Sequence, residues 1–513
     1  MSATLHHPGA PTQDPEGPST GHKFRFPSAF TVLFFVTIAV WVLAFIVPTG
    51  AYKTDPDTGG PIPGSYEQTD VGMSWWDRAM ELFMAPVNGL YGVQSAETGY
   101  IGPWESGELY GAAGVFLFVL AIGVFITMAM RTGAIDTGVA RVAKRFSTRG
   151  AVVIAALMVL FSVGDTTEGM AEETLGFYAL VIPLMLSLGY DRMVAAATIL
   201  VGAGIGVLAS TVNPFATGVA SDAAGISIGD GIGYRLLMYV ILVPIGVWFV
   251  LRYAKRVKLD PSRSMVKAQE GDEELAARGL GEVPTLTGKQ KSVLAIVGLT
   301  FAFMIFAIVP WAQVVNGPNA DSYGWQLDWY FPELAALFLM MALVVGLIGG
   351  LGEKGITDSL VRGAGDFIGV GLIIVLARGV TVIMNNSEIT DTVLHSMESA
   401  VSQTSSAVFG AVMFLINIPL AFLVPSTSGH GALAMPVLAP LADFAGVSRA
   451  MVVTAFQSAS GVVNLITPTS AVVMGGLALA KVRYDQWLRF VLPLILLLLV
   501  LGTGFTALGA AIS

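Results

Sequence analysis

The sequence predicts an all-α polytopic membrane protein, an inverted repeat with two re-entrant hairpins and two broken transmembrane helices, and three observations carry that reading. The 513 residues are 54% hydrophobic and only 12% charged, roughly half the charge of an ordinary soluble domain. Four polar breaks interrupt apolar runs: Asp165-Thr166-Thr167-Glu168-Gly169, Ser210-Thr211-Val212-Asn213-Pro214-Phe215-Ala216-Thr217, Val424-Pro425-Ser426-Thr427-Ser428-Gly429-His430-Gly431, and Asn464-Leu465-Ile466-Thr467-Pro468-Thr469-Ser470. In hydrocarbon every backbone N–H and C=O needs a partner, so chain leaves the helix at membrane depth only where protein buries it or a wet cavity meets it. The two halves also align with each other. Pro183 falls on Pro440, Gly189 on Gly446 and Arg192 on Arg449 at an offset of 257; Asp136-Thr137 falls on Asp391-Thr392 at 255; Pro214 on Pro468 and Arg235 on Arg489 at 254. Ordered anchors at nearly one offset mark the internal duplication common among secondary transporters.

Taken in order, residues 1–27 are polar and Pro/Gly-rich and read as a disordered cytoplasmic tail, followed by an uncleaved first span. With ~20 apolar residues per crossing, spans fall near 28–49, 111–130, 193–226 (broken), 233–252, 291–312, 332–351, 366–385, 449–481 (broken) and 486–510. Re-entrant hairpins lie near 151–188 and 406–444, their arms of ~13 to 18 residues long enough to reach the middle of a bilayer and turn back. Residues 28–252 form the first repeat and 291–513 the second. Between them 253–290 mixes both charge signs with Pro, Gly and Ala and reads as a cytoplasmic connector. Two amphipathic stretches, Trp75 to Leu90 and Gly355 to Asp366, hold matching places in the repeats, and Trp75-Trp76 suits a membrane interface.

Lysine and arginine set the orientation. Segments 131–149 and 253–290 are basic, whereas 313–331 and 386–405 hold no Lys or Arg and 50–110 only Lys53 and Arg78. The positive-inside rule puts the N-terminus in the cytoplasm and the C-terminus outside. Hairpin one then enters from the cytoplasm and hairpin two from outside, the inversion that alternating access requires.

Hairpin one gathers Asp165, Glu168, Glu172 and Glu173 within nine residues, next to Thr166 and Thr167. Carboxylates at that depth face a wet cavity, a cation or another charge. With a second arm helical from Glu168, Glu168 and Glu172 share a face and Glu173 points about 100° away. A cationic group, a coupling cation or protons are expected there; capping of the second arm by Asp165 or Glu168 is the plainer alternative. Hairpin two offers Ser426, Thr427, Ser428 and His430. Hydroxyls and N–H groups at a half-helix N-terminus suit a carboxylate, freed carbonyls suit Na⁺, and the histidine carries either a proton or an ordinary hydrogen bond. Asn213 and Asn464, with Thr211, Thr217, Thr467, Thr469 and Ser470, line the broken-helix side, where Pro214 and Pro468 each remove a donor. A ligand-free proline kink competes with that reading. Arg378, inside the seventh span, answers either a substrate carboxylate or a hairpin-one acid. With the acidic hairpin it favours a substrate bearing both charge signs.

Several of these runs have a familiar look. Gly169-Met170-Ala171-Glu172-Glu173-Thr174, Asn213-Pro214-Phe215-Ala216-Thr217-Gly218, Pro425-Ser426-Thr427-Ser428-Gly429, Pro436 to Asp443 and Asn464-Leu465-Ile466-Thr467-Pro468-Thr469 resemble the YfcC-like branch of the C4-dicarboxylate anaerobic carrier (DcuC) family, over roughly residues 26–511. The resemblance implies a bacterial inner-membrane carrier of the ion-transporter superfamily, often dimeric, whose transport domain moves against a scaffold. Substrate and ions would bind at 164–169 with 211–217 and at 425–430 with 464–470. The chain departs from the family pattern in having Glu168 where an aromatic commonly precedes Gly-Met-Ala-Glu-Glu, and Ser458-Ala459-Ser460-Gly461 where a Gly-Asp-Gly-like element precedes the second asparagine. The family label is divided between C4-dicarboxylates and basic amino acids.

The sequence thus reads as an ion-coupled symporter or exchanger of a small carboxylate-bearing metabolite. An amino acid, basic in type, stands slightly ahead of a C4-dicarboxylate because of hairpin one. Expected partners are the lipid bilayer, the small-molecule substrate, a coupling Na⁺ or H⁺ and a second copy of the chain, with no other cofactor and no nucleic acid. Zero cysteines exclude disulfides and thiolate chemistry, and no Gly-rich loop ending in Gly-Lys-Ser/Thr supports ATP drive. An intramembrane hydrolase fits poorly, since Ser428 and His430 diverge on a helix and Asp191 and Asp230 fall at opposite surfaces. A passive channel would need a continuous polar lining.

Overall fold

In the computed structural model residues 29–513 are described, apart from 54–60, 146–148, 279–280, 310, 317–321, 425 and 469. The predicted tail, Pro425 and Thr469 therefore lie outside the described residues. Among the described residues two large hydrophobic cores organise the chain, beside a small third cluster of Ala44, Ala85, Ile383 and Ile389. One, here the hairpin body, joins both hairpins, both broken helices and the long helices Ile232–Leu259 and Tyr484–Ile512. The other, the scaffold body, joins Ala113–Arg131, Gly288–Ile308, Phe331–Gly349 and Gly352–Asn386.

Each hairpin is two apolar arms joined by a short turn. The first runs Gly150–Glu168, a 3-10 segment Glu172–Phe177, then Tyr178–Ser187. The expected break at Asp165 to Gly169 is corrected here: the helix continues through Glu168 and stops at Gly169, whose φ of 73° is left-handed. A Cβ at Gly169 would also lie 2.4 Å from Phe215 Cδ2, so only glycine fits. Glu168 consequently ends the first arm instead of starting the second. The second hairpin pairs Ser406–Leu423 with Thr427–Phe444, and Ser426 caps the latter by accepting from the Gly429 amide at 3.2 Å.

The broken helices fall where predicted. Arg192–Leu208 gives way to a π turn at Pro214–Gly218, capped by Asn213, and a short helix Val219–Ala223. Arg449–Asn464 gives way to Ala471–Ala480, capped by Ser470. The two cross so closely that a Cβ at Gly461 would sit 2.4 Å from Leu208 Cα.

The duplication is visible in contacts. The first arm of each hairpin packs on its own broken helix and on the long helix after it. Arg192 Nη1 donates to the Ala480 carbonyl at 3.3 Å, and its counterpart Arg449 Nη1 donates to the Ala224 carbonyl at 3.2 Å. The carboxylate partners differ. Arg449 pairs with Asp443 inside its own repeat, but the equivalent position in the first repeat is Leu186, and Arg192 instead takes Asp272 from the connector at 2.7 Å. Ser264 and Tyr253 both donate to Asp191 Oδ2, and Gln486 holds the Met265 carbonyl, so residues 260–278 are strapped along the hairpin body.

Four details differ from the sequence expectation. The second amphipathic stretch is not a separate element but the start of the 35-residue helix Gly352–Asn386, about 52 Å long, because no proline or turn separates it from the following span. The first helix is short, Ala29–Leu43, and then turns. The helix after the first broken span runs past 252 to Leu259. Among the described residues the 50–110 segment holds five short strands in two small antiparallel sheets, within an otherwise helical fold. Its amphipathic helix Trp75–Tyr91 starts in a Ser74/Asp77 capping box and leaves Trp75 and Trp76 exposed. Among the described residues seven helices are long and apolar enough to cross a membrane, and one of these is the hairpin arm Gly150–Glu168. Length and composition alone do not separate a span from a re-entrant arm.

Candidate functional site

A cavity of 1160 Å³ lies between the two bodies, and the hairpin turns and helix breaks converge on it. Of the sequence-predicted residues, Asp165, Asn213, Ser426, Thr427, Ser428, Asn464 and Ser470 line it. Its mouth carries Arg131, Asp358, Arg362 and Asp366, which form the exposed ion pairs Arg131–Asp358 at 3.4 Å and Arg362–Asp366 at 3.8 Å. The mouth is therefore on the membrane face that bears the basic helix Ala134–Arg145.

At the deep end Asp165 is 1% exposed. Asn213 Nδ2 donates to the Asp165 carbonyl at 2.7 Å and reaches Asp165 Oδ1 at 3.3 Å, while Asn213 Oδ1 accepts from the Phe215 and Ala216 amides. One side chain thus caps the π turn and satisfies the last turn of the hairpin helix. In the second repeat Asn464 also ties the break to its hairpin, but through a side chain, with Nδ2 donating to Thr427 Oγ1 at 2.9 Å, and Ser470 supplies the cap. Two helices start at the cavity wall, after Ser426 and Ser470, so their N-terminal partial positive charge lies at the same chamber as Asp165. Among the described lining residues, no Lys, Arg or His lies below the mouth. Such a chamber can hold a cationic group at Asp165 and a carboxylate at the helix starts.

Other predicted residues are placed elsewhere. Thr166 and Thr211 hold each other at 3.2 Å behind the wall, and Thr167 donates to the Val163 carbonyl of its own helix. Glu168 is half-buried outside the lining, which undoes the shared face expected for Glu168 and Glu172. Glu172 and Glu173 sit on the 3-10 segment, and their side chains lie outside the described residues. Thr217 is wholly buried, donating to Gln457 Oε1 at 2.7 Å. Thr467 is buried in the second break. His430 is buried away from the chamber with its ring edge-on to Phe456, Nδ1 3.5 Å from Ser460 Oγ and Nε2 without a hydrogen-bond partner among the described residues. Arg378 does not reach the chamber or hairpin one; it is ion-paired with Asp222 and lies over the Tyr110 ring.

Sequence reasoning missed Gln457, whose Nε2 donates to the Ser210 carbonyl at 2.7 Å while its Oε1 takes Thr217. It also missed Asp222. Both were detectable as strongly polar residues inside apolar runs at membrane depth.

Comparison with known proteins fits this architecture. The family model described as DcuC, C4-dicarboxylate anaerobic carrier, matches residues 26–511. An uncharacterized protein of Haemophilus influenzae is 31% identical over 504 residues, covering 94% of this chain and 96% of the relative. The Escherichia coli protein named putative basic amino acid antiporter YfcC is 31% identical over 509 residues, with the same coverage. Among solved structures, the YdaH transporter of Alcanivorax borkumensis superposes with a TM-score of 0.66 at 14% identity, covering 94% of this chain and 98% of its own. MtrF of Neisseria gonorrhoeae, described with a class of antimetabolite efflux pumps, gives 0.65 at 16% identity, covering 94% and 95%. Those two show the fold. The family match over nearly the whole length makes this chain a multi-pass membrane transporter and a member of the DcuC family.

Proposed function

We propose that the chain is a secondary active carrier of a small amino acid with a cationic group, working by alternating access in the bacterial cytoplasmic membrane. The observation that carries this is the charge of the chamber: a buried carboxylate, Asp165, at the closed end, helix starts around it, and, among the described lining residues, cations at the exposed mouth alone. A basic amino acid brings a cation for Asp165 and a carboxylate for the segment starts at Ser426 and Ser470. A C4-dicarboxylate would bring two negative charges toward Asp165 with no buried lining cation among the described residues. The E. coli relative's name points the same way. With the basic face cytoplasmic, the N-terminus is inside and the cavity open inward. The hairpin body would carry cargo while the scaffold body stays, with Na⁺, H⁺ or counter-exchange supplying the energy.

The test is uptake of labelled arginine, lysine, ornithine, succinate and fumarate into proteoliposomes under separately imposed Na⁺ and H⁺ gradients. Saturable, trans-stimulated uptake of the basic amino acids supports the reading. Uptake restricted to succinate or fumarate overturns it.

A further inference from the structure

Arg378 and Asp222 belong to different bodies. Arg378 is on the scaffold helix Gly352–Asn386, with the Tyr110 ring 5.3 Å from its guanidinium, and Tyr110 in turn accepts from Asn385 Nδ2 at 2.8 Å. Asp222 is on Val219–Ala223, a helix that packs mainly on the second-hairpin arm Thr427–Phe444, with Ala220 and the following Ala224 in the hairpin core and Val219 at its start reaching the scaffold core. Their ion pair therefore spans the interface, with side chains only 13% and 22% exposed.

Its height relative to the cavity is informative. Along the scaffold helix, cavity-lining residues run from Asp358 to Val370, about 18 Å of helix. Beyond them the wall closes: a Cβ at Gly429 would lie 2.9 Å from Ile373 Cγ2. At the border Phe215 stacks on Phe367 with ring centroids 5.4 Å apart. Arg378 comes eight residues after Val370, about 12 Å further on. The pair thus sits on the sealed side, opposite the mouth.

We propose that Asp222–Arg378 is the closing ion pair of the gate on that side, an assignment that rests on the alternating-access reading above. Opening the chamber toward the sealed face requires the two bodies to part there, which separates Asp222 from Arg378. While the seal is shut, loss of either partner leaves a buried charge unanswered, and that penalty falls on the shut arrangement alone. Once the face opens, water reaches both groups. The pair therefore weights the equilibrium toward the arrangement whose mouth is at Arg131. Arg378 is a positioning residue, acting on which face is open without touching cargo.

The chain contains no cysteine, so Thr427→Cys supplies a single probe in the chamber. Vesicles of known orientation are treated with a membrane-impermeant maleimide from one face or the other, with no cargo present. With the native pair, labelling is expected from the face of Arg131. Asp222→Asn and Arg378→Gln should each shift the ratio of the two labelling rates toward the opposite face by at least about tenfold, since breaking a buried pair costs more than that factor. The charge-exchanged pair Asp222→Arg with Arg378→Asp should restore the native ratio. If the single variants do not yield monodisperse protein, Arg378→Lys, which keeps the charge but loses the planar guanidinium that meets Asp222, carries the test and should shift the ratio in the same direction by a smaller factor. An unchanged ratio in the monodisperse variants overturns the gate. Because labelling needs no transported compound, failure of every uptake assay would sink the carrier reading and leave this result standing.

Discussion

In a Gln457→Met variant the side-chain volume at the crossing of the broken helices is nearly kept while both of its hydrogen bonds vanish. Gln457 is fully buried, accepts from Thr217 Oγ1 at 2.7 Å and donates to the Ser210 carbonyl at 2.7 Å. The Thr217 hydroxyl keeps a second partner, Ser210 Oγ at 2.5 Å, so its loss is partial. The Ser210 carbonyl loses the donor that crosses from the other repeat. An unmade bond to a buried acceptor costs ~1–3 kcal/mol and the weakened hydroxyl about 1 more, giving roughly 2–4 kcal/mol. Denaturant unfolding of the purified protein in detergent measures this, alongside Thr217→Val and the double variant. The Thr217–Gln457 bond is absent in either single variant, so the double should cost about 1 kcal/mol less than the sum. A cost for Gln457→Met below about 0.5 kcal/mol, or strict additivity, would refute the claim that this residue stitches the two repeats together.

Other expectations follow from the same geometry. Gly461→Ala should destabilise by about 3 kcal/mol, because its Cβ meets the Leu208 backbone at 2.4 Å; Gly365→Ala, with nothing within 4 Å, should be neutral or gain up to ~1 kcal/mol, and unfolding midpoints compare them. Asp272→Asn should cost about 3 kcal/mol by stranding the buried Arg192, and Leu186→Asp, which recreates the arrangement of Asp443 and Arg449 in the other repeat, should recover at least half of the loss; no recovery would contradict the pseudo-symmetry argument. Desolvation pushes the Glu398 carboxyl up, but hydrogen bonds from Tyr52, the Gly64 amide and His395 outweigh it and hold its pKa below the usual value. A depressed folded pKa means the stabilisation is present above the ordinary glutamate pKa and is lost as pH falls through the folded value. The protection factor of the Gly64 amide, its exchange rate relative to an unstructured amide at the same pH, should fall across that window in the native protein, and in Glu398→Gln should be low already at neutral pH.

The breaks and hairpins were legible because capping side chains and prolines inside an apolar run would only weaken a helix that continued through them. Asn213-Pro214 and Asn464 through Ser470 combine a side-chain cap with a missing donor, and both mark real interruptions. The first hairpin turn was misplaced for a physical reason: Asp165, Thr166 and Thr167 look like a break by composition, yet Asn213 and Thr211 from another element satisfy that last helical turn. Only the left-handed Gly169 stops the helix. Partners of charged groups were less legible still. Arg378 needs an answer at membrane depth, but which acid supplies it depends on a packing between elements 156 residues apart, and no local pattern encodes that. Asp272 completing Arg192 is the same kind of long-range fact, recognisable only when the missing carboxylate at Leu186 is compared across the repeats.

Equilibrium binding of labelled arginine to the purified protein, with and without Asp165→Asn, meets the central claim head-on. The account predicts saturable binding that weakens about 30-fold in the variant, the loss of one charge-assisted hydrogen bond of ~2 kcal/mol, with succinate unable to compete in either. Arginine affinity unchanged by Asp165→Asn, or succinate binding tightly where arginine does not, would contradict it.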